Sequence, residues 1–237
     1  MPLDLRLCRS IFAFPLIGAL SGCLPPAVVP AAGPVPAEHV IIAPLLGRSG
    51  AYLTLGDAAS RVQLSLTTLP GLLYRITTPA GSGLTPAVTV RDGHAEVRLR
   101  PTGDDGPDDV RVVLNRDVRW DLRLPAGAGE EQLDLTAGRV TRLDIGASGL
   151  VEAKLPAPGG TVPMTLAGGV GTAVITAPAA PLRIGLGGGT GSVVTPWTVR
   201  TAVPAGSLLA EPGWPVALDR YAVTFRGGVG SLTVRQH

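Results

Sequence analysis

The sequence predicts an all-β protein, and three observations lead to this prediction. Glycine and proline supply 32 and 23 of the 237 residues, and inside a helix they cost about 1 and 3 kcal/mol per position. Short runs of alternating apolar and polar residues, such as 62–66 and 120–124, replace helical spacing. Glycines recur about every 20 residues in the second half, which indicates stacked repeats. We therefore expect a single-stranded β-helix, or solenoid, with glycine at the corners of its rungs.

Residues 1–22 are predicted to form a lipoprotein signal peptide. Arg6 and Arg9 precede an apolar stretch at 11–20, which is shorter than the roughly 20 residues that span a bilayer as a helix. The stretch ends in Leu20-Ser21-Gly22-Cys23, which resembles the bacterial lipobox. In that motif the cysteine thiol receives diacylglycerol before cleavage, so we expect lipidation of Cys23 and an anchor on the outer face of the cell membrane.

Residues 23–39 are predicted to be a tether behind the lipidated cysteine. This segment contains five prolines between residues 24 and 37. Proline-rich chains favour extended polyproline II at about 3.1 Å per residue, so fourteen residues span roughly 40 Å. Two alternatives to a lipoprotein leader are an ordinary secretory signal with a chance cysteine and a cytosolic chain that starts with a core strand. The only other cysteine, Cys8, lies inside the predicted leader, so the mature chain has no disulfide to form.

The region 40–115 is predicted to be an N-terminal β region. Alternating runs occur at 62–66, 97–99 and 110–114, and turn residues precede two of them, at 56–60 and 92–95. These turns are about 35 residues apart, which is wider than the later repeat. Two interpretations follow: the region continues the solenoid with wider rungs, or it forms a cap that protects an open sheet edge.

The region 116–237 is predicted to be the repeat β-helix domain. Five glycines each stand just before an alternating apolar strand: Gly129, Gly149, Gly171, Gly191 and Gly230. Glycine reaches positive-φ conformations and lets stacked backbones approach closely, so we expect the glycine-rich segments 168–171, 187–191 and 227–230 at the corners of the rungs. The segment from Trp197 to Trp214 breaks the repeat, and we expect it to form an irregular rung with an exposed contact patch at the two tryptophans.

Several of these residues resemble a known domain. Residues 118–122, 143–146 and 154–156, with the repeated Gly-Gly-Val-Gly at 168–171 and 227–230, are similar to the toast-rack, or adhesin-like, β-helix domain of bacterial cell-envelope proteins. The C-terminal domain of cell-wall-active antibiotic response proteins belongs to the same type. The resemblance covers about half of the chain and implies a scaffold or interaction surface, with no catalytic residue and no cofactor to carry over.

Candidate catalytic residues are few. His39 and His237 lie at the ends of the predicted mature domain, so any histidine mechanism depends on His94. Its context, Arg91-Asp92-Gly93-His94, predicts a tight turn and a solvated histidine rather than a catalytic or metal-binding one. Glu130 and Glu131 are adjacent in sequence and should point to opposite faces of a strand, which does not suit a glycosidase pair.

The densest acidic cluster contains Asp104, Asp105, Asp108 and Asp109. Calcium prefers several oxygen ligands on a flexible loop, so a calcium site is one interpretation. A solvated turn is the other and is favoured, because Gly, Asp and Pro are common turn residues. The glycine run 185–191 lacks the lysine and the third glycine of nucleotide loops and predicts a structural corner.

Charge and composition restrict the function. The formal net charge is +2 and aromatic residues make up 4% of the chain, so we expect no nucleic-acid partner. We expect a membrane-anchored, extracytoplasmic, non-enzymatic lipoprotein whose β-helix presents an adhesin-like surface or an envelope-stress scaffold. Its partner is expected to be another envelope protein or a wall polymer. The alternative hypothesis is an envelope glycan-binding or glycan-cleaving protein.

Overall fold

The structure is a computed structural model that describes residues 38–236. Nineteen β-strands lie in this range, and the described residues contain no helix. The all-β prediction is therefore confirmed. The predicted signal peptide, Cys23 and most of the tether lie outside the described residues.

The strands form two mixed sheets and are numbered in chain order. Sheet A contains, in spatial order, β1 (His39–Pro44), β4 (Leu72–Thr78), β7 (Asp109–Asn115), β3 (Ala59–Thr67), β9 (Ala128–Asp134), β11 (Ser148–Lys154), β13 (Val170–Ala177), β19 (Val229–Gln236), β15 (Thr190–Thr195) and β16 (Thr198–Val203). Sheet B contains β17 (Ser207–Ala210), β14 (Leu182–Leu186), β18 (Arg220–Phe225), β12 (Thr161–Leu166), β10 (Arg139–Ile145), β8 (Arg119–Leu124), β2 (Gly50–Leu55), β6 (His94–Pro101) and β5 (Leu84–Arg91). The alternating runs expected from the sequence all fall within these strands.

Parallel strands make up the middle of each sheet. The chain passes from a strand of sheet B to the next strand of sheet A seven times, and each such pair adds one strand to both sheets. Two pairs are out of chain order: β2 and β3 lie between the pairs β6–β7 and β8–β9, while β18 and β19 lie between β12–β13 and β14–β15. This order departs from the sequential stacking that a simple solenoid predicts.

Both sheets also continue across the expected boundary at residues 115 and 116. Strand β3, from the N-terminal region, pairs with β9 from the C-terminal region, and β2 pairs with β8 in the other sheet. The residues before and after this position therefore share one pair of sheets.

Antiparallel strands finish both ends of the stack. At one end β4 and β1 extend sheet A beyond β7, and β5 extends sheet B beyond β6. At the other end β16 pairs with β15 and β17 with β14. The region 40–115 therefore supplies parallel strands as well as terminal ones, and the irregular segment after Trp197 supplies the opposite end.

The core lies between the two sheets and consists of rows of aliphatic side chains. One row crosses sheet A through Leu64, Leu133, Ala153 and Ile175, and all four are buried. The facing sheet contributes Leu122, Met164 and Val223 in equivalent positions. Each fully buried Leu, Ile, Val or Met side chain contributes about 1.5–3 kcal/mol. Every strand added to a sheet therefore adds buried apolar side chains that stabilise the fold.

The five glycines of the sequence repeat form a column in sheet A. Each is the second residue of its strand, and each meets the backbone of its neighbour in the stack. A Cβ added to Gly149 would lie 2.6 Å from the carbonyl oxygen of Gly129, and one added to Gly171 would lie 2.5 Å from that of Gly149. The expected close approach is confirmed. Within the corner segments 168–171, 187–191 and 227–230 a positive φ occurs only at Gly189, and the corner before Gly129 has one at Gly127.

Candidate functional site

The outer face of sheet B carries a polar groove that encloses about 490 Å³ near one end of the stack. Its residues come from β5, β6, β2 and β8, which are adjacent in this order. The side chains on the outer face form two rows across these strands, because register partners in neighbouring strands lie side by side. The first row is Arg91, His94, Tyr52 and Asp121, and the second is Thr89, Glu96, Thr54 and Arg123. We call these eight residues the sheet B array; all but Asp121 line the groove, which is also lined by the turn residue Asp92.

Two members of the array are held by hydrogen bonds from their neighbours. A hydrogen bond of 2.7 Å joins Thr54 Oγ1 and His94 Nε2. Arg123 donates from Nε and Nη2 to the two carboxylate oxygens of Asp121, at 3.0 and 3.2 Å. This bidentate contact raises the pKa of Arg123 above its usual value. The orientations of His94 and Arg123 are therefore already set in the groove.

Tyr52 provides the aromatic surface of the groove. Its side chain is 51% exposed although it lies in the middle of a strand between two others. The ring is tilted by 40° against the imidazole of His94, with 6.2 Å between the ring centres. An exposed tyrosine flanked by hydrogen-bonding groups offers a flat apolar face and a polar rim to a ligand.

His94 follows a tight turn, as the sequence predicts. The turn residues Asp92 and Gly93 have φ values of 49° and 78°, and this pair of left-handed residues suits a two-residue hairpin between β5 and β6. The expectation of a solvated histidine is wrong, because the side chain is half-buried and bonded to Thr54. The sequence contains no signal that marks Tyr52 as a surface residue, and it places Arg123 only within the alternating run 120–124.

Three of the four aspartates of the acidic cluster lie in the loop between β6 and β7, and Asp109 begins β7. No group of three or more His, Cys, Asp or Glu with metal-binding geometry occurs within residues 38–236. The loop around Asp104 is instead bound to the loop at Ser82, whose hydroxyl donates to the Pro107 carbonyl at 2.8 Å. Thr102 Oγ1 donates to the Ser82 carbonyl at 2.6 Å. The geometry favours the turn interpretation over the calcium interpretation.

Glu130 and Glu131 point to opposite faces of β9, as predicted. On the outer face Glu130 accepts hydrogen bonds from Arg61 at 2.8 Å and from Gln132 at 2.7 Å, and the bond from Arg61 lowers the pKa of Glu130. Glu131 lies in the core with no exposed surface. Burial raises the pKa of Glu131 to about 7. The two carboxyl groups therefore cannot act as an acid–base pair on one substrate.

The segment after Trp197 contains a second aromatic feature. Arg183 and Arg220 place their guanidinium carbons 4.0 and 4.2 Å from the ring centre of Trp214. Trp214 Nε1 also donates to the carbonyl of Tyr221 at 2.8 Å. These contacts stabilise the loop before β18. The ring of Trp214, which we expected to form an exposed contact surface, is covered by Arg183 and Arg220.

Of the two remaining sequence predictions, one concerns described residues and the other does not. The glycine run 185–191 lies at the corner between β14 and β15, where Gly188 packs against the backbone of Gly227, so its structural interpretation is confirmed. Cys23 lies outside the described residues. Among residues 38–236 no helix has the length and apolar character needed to cross a membrane.

Comparison with family models and with curated proteins gives no match. Among solved structures, a candidate cell adhesion protein from Clostridium sporogenes superposes with a TM-score of 0.65 at 18% identity, covering 86% of this chain and 100% of that protein. A candidate adhesin from Bacteroides fragilis aligns over 84% of this chain and 98% of its own length, at 10% identity and a TM-score of 0.30. The first likeness shows a shared all-β fold; the second superposes too weakly to support an argument.

Proposed function

We propose that this protein is an adhesin-like lipoprotein on the outer face of a bacterial cell membrane. In this proposal a lipid on Cys23 anchors the chain, the proline-rich segment holds the domain away from the bilayer, and the two sheets are the faces of a flattened β-helix. The fold likeness to the C. sporogenes protein over that protein's full length is the observation that carries the adhesin-like role.

The domain acts as a binding surface and not as an enzyme. This part of the proposal is supported by His94, the one histidine in the interior of the described chain, whose Nε2 is bonded to Thr54. It is also supported by the separation of Glu130 and Glu131 onto opposite faces of one strand. The sheet B array, with its exposed tyrosine and preset polar groups, is the surface that we assign to partner binding.

The anchor is tested by lipid labelling in cells that express the full chain. Wild-type protein should incorporate a clickable fatty acid and sediment with membranes. It should also be cleaved when a protease is added to cells that have been made permeable to the protease. Cys23→Ser should lose the label and appear in the soluble fraction. Cys8→Ser is the matched control, since Cys8 lies in the predicted leader, and it should behave as wild type. Unchanged labelling in Cys23→Ser would refute the anchor.

The adhesin-like role is tested by attachment. Cells that display the wild-type domain should be retained on immobilised cell-wall material more strongly than cells that lack the gene. Equal retention of both strains contradicts the role. Because Cys23→Ser removes display but not the domain, purified Cys23→Ser protein should still bind the same material.

A further inference from the structure

The sheet B array has the composition of a site for hydroxyl-rich ligands. Its eight positions supply two guanidinium groups, two carboxylates, two hydroxyls, an imidazole and a phenol ring. Each row contains one arginine, one carboxylate and two groups that can both donate and accept. A sugar presents hydroxyl groups, each able to donate and to accept, around its edge and C–H groups on its faces. Hydrogen bonds to charged side chains are about twice as strong as neutral ones, so such an array suits sugar hydroxyls.

The size of the array suits a chain of several sugars. Four strands at spacings of about 4.8 Å place the first and fourth members of a row roughly 14 Å apart. The groove volume of about 490 Å³ lies within the range of roughly 300–1,000 Å³ that is typical of ligand sites. The half-exposed ring of Tyr52 stands in the third position of its row, where it can pack against the C–H face of a sugar.

The array is also organised before any ligand arrives. Arg123 is fixed by its two bonds to Asp121, and His94 is fixed by Thr54. Groups that are already ordered lose little conformational entropy on binding. Arg91 lies at the end of β5, next to the tight hairpin turn that positions it beside His94.

Other ligand classes fit this surface poorly. Nucleic acid needs an excess of cationic side chains, whereas three carboxylates, those of Asp92, Glu96 and Asp121, outnumber the two arginines here. An added peptide strand needs an open sheet edge. The backbones of β6, β2 and β8 are paired on both sides, and the edge strand β5 contains Pro86, which cannot donate a ladder hydrogen bond. An apolar ligand would find one aromatic ring among charged groups.

We propose that the sheet B array binds an uncharged oligosaccharide, with Tyr52 packing against a sugar face and Arg91 and Arg123 donating to its hydroxyls. The inference rests on the proposed function as a binding surface and names the ligand class of that surface. It does not depend on the lipid anchor.

The test is calorimetric titration of the full-length protein in detergent with defined tetrasaccharides. The neutral probes are the β-1,4 tetramers of N-acetylglucosamine and glucose and the α-1,4 tetramer of glucose, and the anionic probe is tetragalacturonate. At least one neutral probe should bind with a Kd between about 10 µM and 1 mM, and more tightly than the anionic probe. Absence of binding by every neutral probe at about 5 mM, or tighter binding of tetragalacturonate, would overturn the proposal.

Variants locate the binding. Tyr52→Ala should weaken the neutral probe at least about tenfold, while Tyr52→Phe, which keeps the ring, should bind within about twofold of wild type. Arg91→Ala should weaken binding, and Arg111→Ala, an exposed arginine on the outer face of sheet A, is its matched control. Circular dichroism checks each fold. If Tyr52→Ala fails to fold, Arg91→Ala tests the assignment in its place. Arg91 is exposed at a strand end, so its substitution should leave the fold intact. Unchanged binding in Arg91→Ala overturns the assignment.

Failure of this inference is separable from failure of the proposed function. A domain that holds cells to wall material but ignores every neutral sugar keeps its adhesin-like role and loses the saccharide assignment. Sugar binding by a protein that does not hold cells to wall material keeps the assignment and overturns the adhesin-like role.

Discussion

A single buried carboxyl group interrupts the aliphatic core. Glu131 lies in a row of sheet A whose neighbours on β3 and β11 are Val62 and Val151. Its Oε1 accepts a hydrogen bond from Ser148 Oγ at 3.1 Å, and its Oε2 has no partner among the described residues. An ionised carboxylate is costly in such surroundings unless it is paired, which is why burial raises the pKa of Glu131 to about 7.

This burial makes stability fall as the pH rises. The side chain has a pKa of 4.5 in its unperturbed state and about 7 in the fold, so the folded chain holds a proton that the unfolded chain has released. The free energy of unfolding should therefore decrease between about pH 4.5 and pH 7, by on the order of 3 kcal/mol. Glu131→Gln should remove this decrease when urea unfolding is followed across the pH range.

Glu130→Gln is the matched control for this prediction. Glu130 is the adjacent residue on the outer face and is paired with Arg61, so its substitution should leave the decrease in place. Parallel stability curves for Glu131→Gln and wild type would show that the buried carboxyl group does not control the pH dependence.

At the scale of the element, the glycine column determines how closely neighbouring strands approach at one end. Side chains would not fit there, because a Cβ at Gly129 would lie 2.7 Å from the carbonyl oxygen of Ser60 and one at Gly191 would lie 2.7 Å from that of Gly230. The neighbouring atoms are backbone and cannot rotate away. A Cβ in this column must therefore push two strands apart.

Gly149→Ala should destabilise the fold by about 1–3 kcal/mol through this overpacking. Gly159→Ala is the control, because a Cβ there meets nothing within 4 Å, and its effect should stay within about 0.5 kcal/mol. Urea unfolding of both variants measures the difference. Equal stabilities would contradict a steric role for the column.

On the scale of the whole molecule, the two sheets tie distant parts of the chain together. The pair β2–β3 is inserted between β6–β7 and β8–β9, and the pair β18–β19 is inserted between β12–β13 and β14–β15.

The terminal strands also limit pairing with other chains, since Pro44 and Pro86 lie in β1 and β5 at the open edges and proline cannot donate a ladder hydrogen bond.

A division of the chain at residue 115 should therefore abolish folding of both parts. A fragment of residues 116–236 would expose β8 and β9, which pair with β2 and β3 in the complete chain. We expect this fragment to lack a cooperative thermal transition by circular dichroism, whereas residues 38–237 should retain one. A folded fragment 116–236 would show that the C-terminal region is an independent domain.

The sequence alone determined the all-β class, the positions of nine of the nineteen strands and the five glycines at which the backbones stack. It could do so because alternation and glycine spacing are local patterns, set by which face of each strand is buried. Only the tertiary structure decided the order of the strands, the burial of Glu131 beside Val62 and the meeting of Tyr52, His94 and Arg123 in one groove. These features depend on contacts between segments far apart in the chain, and a local sequence pattern does not specify which strands are neighbours in a sheet.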